Sequence, residues 1–319
     1  QLFKGSEEEA SRELERLLKE SIRGQMMADV PVGAFLSAGI DSSTVVALMQ
    51  SLSERKVKSF TIGMWDEKFN EADVAKQIAA HLGTDHTELY ITEKEARDVI
   101  PHLAGMFGEP FADSSQIPAY LVSRMTREHV TVSLSGDGGD ELFCGYNTYG
   151  SLARSWNRIR WIPTVARRAA GACLGSMDRY RSGPGAVRAR LLGAAGIEDM
   201  YLRSQIGEGL ELVRQEAVTD ACPTVMDTYP SGVLSCPQHN LMLMDLQMYH
   251  PDDILNKVDR TAMAVSLETR VPMLDKDVVE FAWRLPLSYR RQDGVTKKVL
   301  RDILYRYVPA ELMERPKKG

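Results

Sequence analysis

Two short stretches concentrate the side chains that could do chemistry. Residues 35–46 read FLSAGIDSSTVV: a β-like run passes into small and hydroxyl residues around one aspartate, then into the start of a helix. Gly39 permits a tight turn or a close backbone approach, and Ser37, Ser42 and Ser43 offer hydroxyl donors. A helix opening there would aim unpaired backbone N–H groups and a positive dipole at a phosphate. Asp41 sharpens the reading, because a carboxylate beside a phosphate is repulsive unless a cation lies between them, so it implies Mg²⁺. The plain alternative is a serine-capped strand-to-helix turn with no ligand.

Residues 133–146, SLSGDGGDELFCGY, make a second polar strand-to-helix junction. Ser135 and Gly136 could meet a ribose or an α-phosphate, and Asp137, Asp140 and Glu141 supply acid–base or metal-ligand capacity. Here the alternative is an Asp-Gly turn with Asp140 capping a helix. Two glycine-bearing polar strand ends in one sheet favour a shared ligand over two unrelated turns. Rival phosphate loops are missing from the sequence. There is no Gly-Lys dipeptide, hence no Walker A loop, and GDGGDE and GEGLEL both lack the final glycine of the dinucleotide fingerprint.

The elements that must position these loops follow from periodicity. Leu14, Leu17, Leu18, Ile22 and Met26 share one face of a helix that Ser6 caps. Short β-rich runs at 32–37, 57–64, 86–91 and 130–135 then alternate with helical patterns at 43–51, 71–82, 93–107 and 114–127. That alternation predicts an α/β fold, a parallel sheet covered on both faces, with ligands at the carboxyl ends of its strands. Beyond about residue 149 the chain turns Arg- and Ala-rich, and helical patterns recur at 241–249, 253–266, 277–282 and 297–307. The expected organisation is a nucleotide-type α/β core over 1–150 and a helical region over 151–319.

Composition narrows the class. The 319 residues carry 39 basic and 44 acidic side chains, a net charge of -5, which argues against nucleic acid as the main partner. No apolar run approaches the roughly 18 to 20 residues of a membrane span, so no membrane role is expected. Cys144, Cys173, Cys222 and Cys236 show no CxxC pairing or metal-ligand spacing and read as reduced thiols, which together with the lack of a signal core predicts the cytoplasm. Gln1 is not an initiator methionine, so the chain is read as a fragment of something longer.

At this point the residues resemble a known family. LSAGIDSS looks like the SGGxDSS pyrophosphate loop of the ATP pyrophosphatases, and LSGDGGDELFCGY is similar to the second signature of the glutamine-hydrolysing asparagine synthetases. Residues 251–275, PDDILNKVDRTAMAVSLETRVPMLD, and 297–319, KKVLRDILYRYVPAELMERPKKG, resemble later blocks of the same family. The resemblance implies a Rossmann-like PP-loop core and a reaction in two steps. ATP is cleaved between its α and β phosphates as the side-chain carboxylate of aspartate attacks, and ammonia then displaces AMP to give asparagine.

The resemblance also distributes roles. Ser37, Gly39, Asp41, Ser42 and Ser43 would hold the β and γ phosphates, with Asp41 and Asp140 bridging through Mg²⁺. Leu36 and Ile62 would flank adenine, Ser135 and Gly136 would meet the AMP portion, and Asp137 would stand near the acyl-adenylate. Lys297 and Lys317 match two lysines that approach pyrophosphate and the developing charge, Lys317 being the main electrophilic stabiliser. Without the resemblance both would read as solvated surface lysines, Asp252, Asp253 and Asp259 as capping or surface charges, and Met242, Met244 and Met248 as helical core. The chain departs from the pattern in two ways. Ala38 stands where the loop usually has glycine, which requires negative φ there, and no cysteine precedes Cys144 to act as a glutaminase nucleophile. A glutaminase domain, in cis or in trans, is therefore the expected partner and source of ammonia from glutamine, and a homodimer is compatible. The alternatives are a relative that amidates or cyclises a different carboxylate, as β-lactam synthetases and peptide-modifying members do, and a nucleotide-binding module without catalysis.

Overall fold

The computed structural model describes residues 2–64, 71–177, 183–205 and 234–314. The chain divides into two compact units, one made of Gln1–Gly145 with Tyr249–Gly319 and the other of Tyr146–Met248. The sequence placed everything after about residue 150 in one helical region. Instead, residues from 249 onward return to the first unit, because they contribute a strand to its sheet.

That sheet has five strands: β1 (Val32–Phe35), β2 (Lys58–Met64), β3 (Asp85–Ile91), β4 (Val132–Leu134) and β5 (Glu268–Arg270). Their order is β3-β2-β1-β4-β5 and every pairing is parallel. Ala34 of β1 sits between Ser59 of β2 and Leu134 of β4, and all three are fully buried. The chain builds outward from β1 to β3 and then crosses back to β4. The crevice between the carboxyl ends of β1 and β4 is thus a topological switch point, the place where open α/β sheets bind ligands.

The first-unit helices form where their boundary chemistry says they should. Helix α1 (Glu7–Gln25) opens with a capping box in which Ser6 and Glu9 exchange hydrogen bonds, and it buries Leu14, Leu17, Leu18 and Ile22. Met26, expected on that face, falls at the C-cap. Helices α2 (Ile40–Ser51), α3 (Ala72–Leu82), α4 (Glu93–Phe107) and α5 (Gln116–Arg127) follow. A second capping box, Thr92 with Glu95, starts α4, and left-handed glycines Gly83 and Gly108 end α3 and α4. The helical pattern expected over 253–266 resolves into a π-helical turn, His250–Leu255, and an α-helix, Asn256–Met263. It stops there because the chain must turn into β5, with Ser266 at φ 58°.

In the second unit, the helices Asn147–Ile159, Thr164–Gly175, Gly183–Leu192, Ile197–Gln205 and Pro237–Gln247 are described. Buried Arg167 stacks on Trp156 and donates to the carbonyls of Ile162 and Ala194. Buried Asp245 accepts from the hydroxyls of Tyr149 and Tyr201. Met242 and Met244 are core residues, as their helical spacing suggested, and Met248 is half-buried. Among the described residues no helix is long and apolar enough to cross a membrane, and Cys144, Cys173 and Cys236 form no disulfide.

Phe60 anchors one face of the sheet, 1% exposed among Met125, Val130, Ala262 and Leu267. Replacing it with alanine should lower the unfolding free energy by about 3–5 kcal/mol, read from urea denaturation of the two proteins. A loss under about 1 kcal/mol would mean that this cluster does not hold the sheet.

Candidate functional site

The loop after β1 is organised by its own hydroxyls. Ser37 and Ser42 lie with their Oγ atoms 2.8 Å apart, the Ser37 amide donates to Ser42 Oγ at 3.1 Å, and the Gly39 amide donates to Ser37 Oγ at 3.1 Å. Ser43 turns inward instead. It is fully buried, and its hydroxyl donates to the Ser37 carbonyl at 3.3 Å, so it frames the loop from behind. Gly39 is the N-cap of α2 and no side chain caps that helix, which leaves its first-turn N–H groups aimed outward. Ala38 is not among the residues with positive φ, the condition its methyl group required.

The loop after β4 packs directly on this helix start. A Cβ added to Gly136 would lie 2.5 Å from the Ser42 amide nitrogen, so only glycine lets the two backbones meet. Between the loops stands a cavity of about 300 Å³ lined by Ser37, Gly39, Asp41, Ser42, Ser135, Gly136 and Asp137. Its apolar and hydroxyl walls come from residues whose role the sequence did not reveal: Phe35, Ala119, Val122, Ser123, Val258 and Thr261. Their spacing of three and four is a helical-face signal, but it reads equally well as ordinary core. Leu36 and Ile62 do not line the cavity. Leu36 is buried, with its amide donating to the Phe60 carbonyl and its carbonyl accepting from Thr61, and Ile62 packs against Ile91, Val99 and Leu121.

The strongest electrostatic feature joins Asp41, Asp140 and Lys297. The Lys297 ammonium pairs with Asp41 and lies 2.7 Å from Asp140 Oδ1. Lys297 is 5% exposed and takes a left-handed backbone, φ 54°, just before the helix Lys298–Leu304, while its amide reaches the Phe143 carbonyl at 3.3 Å. Two glycines make room for the cluster. A Cβ on Gly139 would fall 2.3 Å from Asp41 Cγ, and one on Gly145 would fall 2.0 Å from Asp140 Oδ1 and 2.2 Å from Lys297 Cε. Burial pushes Asp41 up to about 6, against the pull of the Lys297 charge and with the help of Asp140. Burial alone would disfavour the ammonium, but Asp41 and Asp140 outweigh it and hold Lys297 above its ordinary value.

Asp41 Oδ1 is buried and accepts no hydrogen bond, so the carboxylate keeps an unused ligand position. Among the described residues no group of three or more His, Cys, Asp and Glu is arranged for a metal. Two carboxylates with the remaining positions left to phosphate and water is nonetheless the donor set that suits Mg²⁺. Asp137 lies half-buried beyond Gly136. Burial pushes its carboxyl up, opposed by the Ser135 hydroxyl. Glu141 is buried and faces His250 at 3.5 Å. Lys317 lies outside the described residues.

The chain matches the family model described as asparagine synthase over residues 13–319. It is 33% identical, over 98% of its length and 50% of the relative's, to the glutamine-hydrolyzing asparagine synthetase 1 of Bacillus subtilis. It is 35% identical, over 96% of its length and 47% of the relative's, to a putative glutamine-hydrolyzing asparagine synthetase of Mycobacterium tuberculosis. The chain thus spans about half the length of the curated relatives it matches. Among solved structures, a U34-tRNA thiolase from Methanococcus maripaludis aligns over 81% of this chain and 80% of its own at 14% identity, with a TM-score of 0.33, too low to support any inference.

Removing Lys297 would strand two carboxylates in a nearly closed space. Lys297→Met should therefore destabilise the protein by about 3 kcal/mol at neutral pH, and adding Asp41→Asn should recover most of that loss. Denaturant unfolding of both variants checks it. A double variant no more stable than Lys297→Met would show that the bridge is not the reason for the loss.

Proposed function

Because this chain belongs to the asparagine synthase family, we propose that its cleft carries the synthetase half of an AMP-forming amide ligase. The observation that carries the proposal is the meeting of both acidic strand ends on one buried ammonium, at the crevice where a parallel sheet presents its ligand.

ATP enters with its β and γ phosphates on the loop after β1. Ser37, Gly39, Ser42 and the open N–H groups of α2 supply donors, and Ser43 keeps the loop in shape from its buried side. Asp41 and Asp140 would hold Mg²⁺, which when bound offsets the negative charge of the phosphates. Lys297, fixed between those carboxylates, adds a second positive charge at the pyrophosphate end. Ser135 and Gly136 meet the AMP portion, while Leu36 and Ile62 back the strand ends on the adenine side. The side-chain carboxylate of aspartate attacks the α-phosphorus beside Asp137, the bond to the bridging oxygen breaks, and pyrophosphate leaves with the electron pair. Ammonia then attacks the mixed anhydride and AMP departs, leaving the amide. Lys317 is assigned to the charge that develops on the α-phosphoryl group. A glutaminase domain, in the same chain or a separate one, supplies the ammonia from glutamine, and the reaction is placed in the cytoplasm.

Aspartate-dependent exchange of labelled pyrophosphate into ATP tests the first step without needing an ammonia source. Exchange should require Mg²⁺ and aspartate, and Asp41→Asn should lower it by about 100-fold or more. The sign of the pH effect follows from Asp41, which must be ionised to serve. Exchange should fall as pH drops through about 6 and show no further dependence on this group above it. Exchange with another carboxylate but not aspartate would move the assignment to a different acceptor. No exchange with any carboxylate would reduce the cleft to a nucleotide-binding module.

A further inference from the structure

Residues 151–205 carry ten arginines, no lysine and three acidic residues, in a chain whose net charge is -5. Three of those arginines, Arg168, Arg190 and Arg203, line one cavity of about 390 Å³ that lies wholly within the second unit. Every other residue lining it is glycine or alanine, and none is acidic. Its volume falls in the range of small-molecule sites, about 300–1,000 Å³.

The three arginines come from three helices. Arg168 lies on Thr164–Gly175, Arg190 on Gly183–Leu192 and Arg203 on Ile197–Gln205. Gly171 lets the first two helices pack closely, since a Cβ there would fall 2.6 Å from the Ala189 carbonyl oxygen. The turn that follows the second helix is fixed by its carbonyls. Buried Arg167 donates to those of Leu192, at 3.4 Å, and Ala194, and Arg168 Nε donates to that of Gly193 at 3.5 Å. Two of the cavity arginines meet at Gly193, where a Cβ would stand 3.7 Å from Arg168 Cγ and 3.8 Å from Arg203 Nη1. Asp199 orients Arg203 in turn. Its Oδ1 accepts from Arg203 Nε at 2.7 Å, while its Oδ2 accepts from the Ala195 amide at 2.7 Å.

The bonds that hold these side chains leave their ends available. Arg168 is exposed and makes no ion pair among the described residues, and Asp199 engages only the Nε of Arg203. Guanidinium forks on a fixed frame, with terminal N–H groups uncommitted, suit an oxyanion. A planar carboxylate offers two oxygens in one plane, whereas a phosphate dianion offers three in three directions and carries more charge. Alanine and glycine walls supply no side-chain hydrogen bonds, so the space left beyond the anion suits a compact apolar body.

We propose that this cavity binds a small phosphate monoester, with its phosphoryl oxygens on Arg168, Arg203 and Arg190 and its organic body against the alanine and glycine walls. The site stands or falls independently of the ligase reading.

Calorimetric titration of the full-length protein with phenyl phosphate, benzoate and inorganic phosphate, at constant ionic strength and about pH 7.5, where the monoester is a dianion, tests it. Benzoate keeps the ring on a planar anion, and inorganic phosphate keeps the anion without the ring. Phenyl phosphate should bind at least about 10-fold more tightly than either. Arg168→Glu, at an exposed position, should weaken phenyl phosphate at least about 10-fold without moving the urea unfolding midpoint. Phenyl phosphate binding that survives this substitution undiminished puts the probe elsewhere and overturns the site. Binding of phenyl phosphate no tighter than that of benzoate or of inorganic phosphate, by the unaltered protein, overturns it whether or not the variant folds.

Discussion

The first unit depends on one buried ammonium. Asp41 and Asp140 end two different strand-to-helix loops, and brought together alone they would repel each other in a place that water barely reaches. Lys297, 256 residues along the chain from Asp41, lies between them. Glycines 136, 139 and 145 give up their side chains so that the loops, the carboxylates and the lysine stem fit in the same space. Such a bridge is poor evidence for stability in itself, since desolvating three charges offsets much of their attraction. Its effect is positional, because it fixes the second strand end against the first and leaves one Asp41 oxygen unclaimed.

That bridge also accounts for the fold's path. The chain must return to the sheet after its helical excursion for Lys297 to arrive at all, and β5 is the structural sign of the return. Three residues suffice because Glu268, Thr269 and Arg270 register against Val132, Ser133 and Leu134, the strand that carries the second loop. With β4 flanked on both sides, its carboxyl end is held where β1 needs it, and the crevice between them becomes a site instead of a gap.

Much of this was legible in the residues. The first four strands and the helices between them announced themselves through period, capping boxes and terminal glycines, all local signals. Both glycine-rich loops were legible as well, and the cavity gathers most of the positions they supplied. What the sequence hid was whatever depends on distant neighbours. β5 is too short and polar to show a strand period. Lys297 looks like any surface lysine until the fold buries it, and Ser43 looks like its neighbour Ser42 although Ser42 lines the cavity and Ser43 is fully buried behind the loop. Leu36 is buried at the end of the first strand run and does not line the cavity, which its place beside Ser37 did not suggest. Asp113 and Lys257, an ion pair 144 positions apart, had no common signal at all.

The central claim is that an acceptor carboxylate attacks the α-phosphorus of ATP in the crevice between β1 and β4. Single turnover of the full-length protein with ATP and aspartate labelled with oxygen-18 in its side-chain carboxylate tests this most directly. The account predicts release of AMP carrying one labelled oxygen once ammonia has displaced it. Formation of ADP, or of AMP without label, would contradict it.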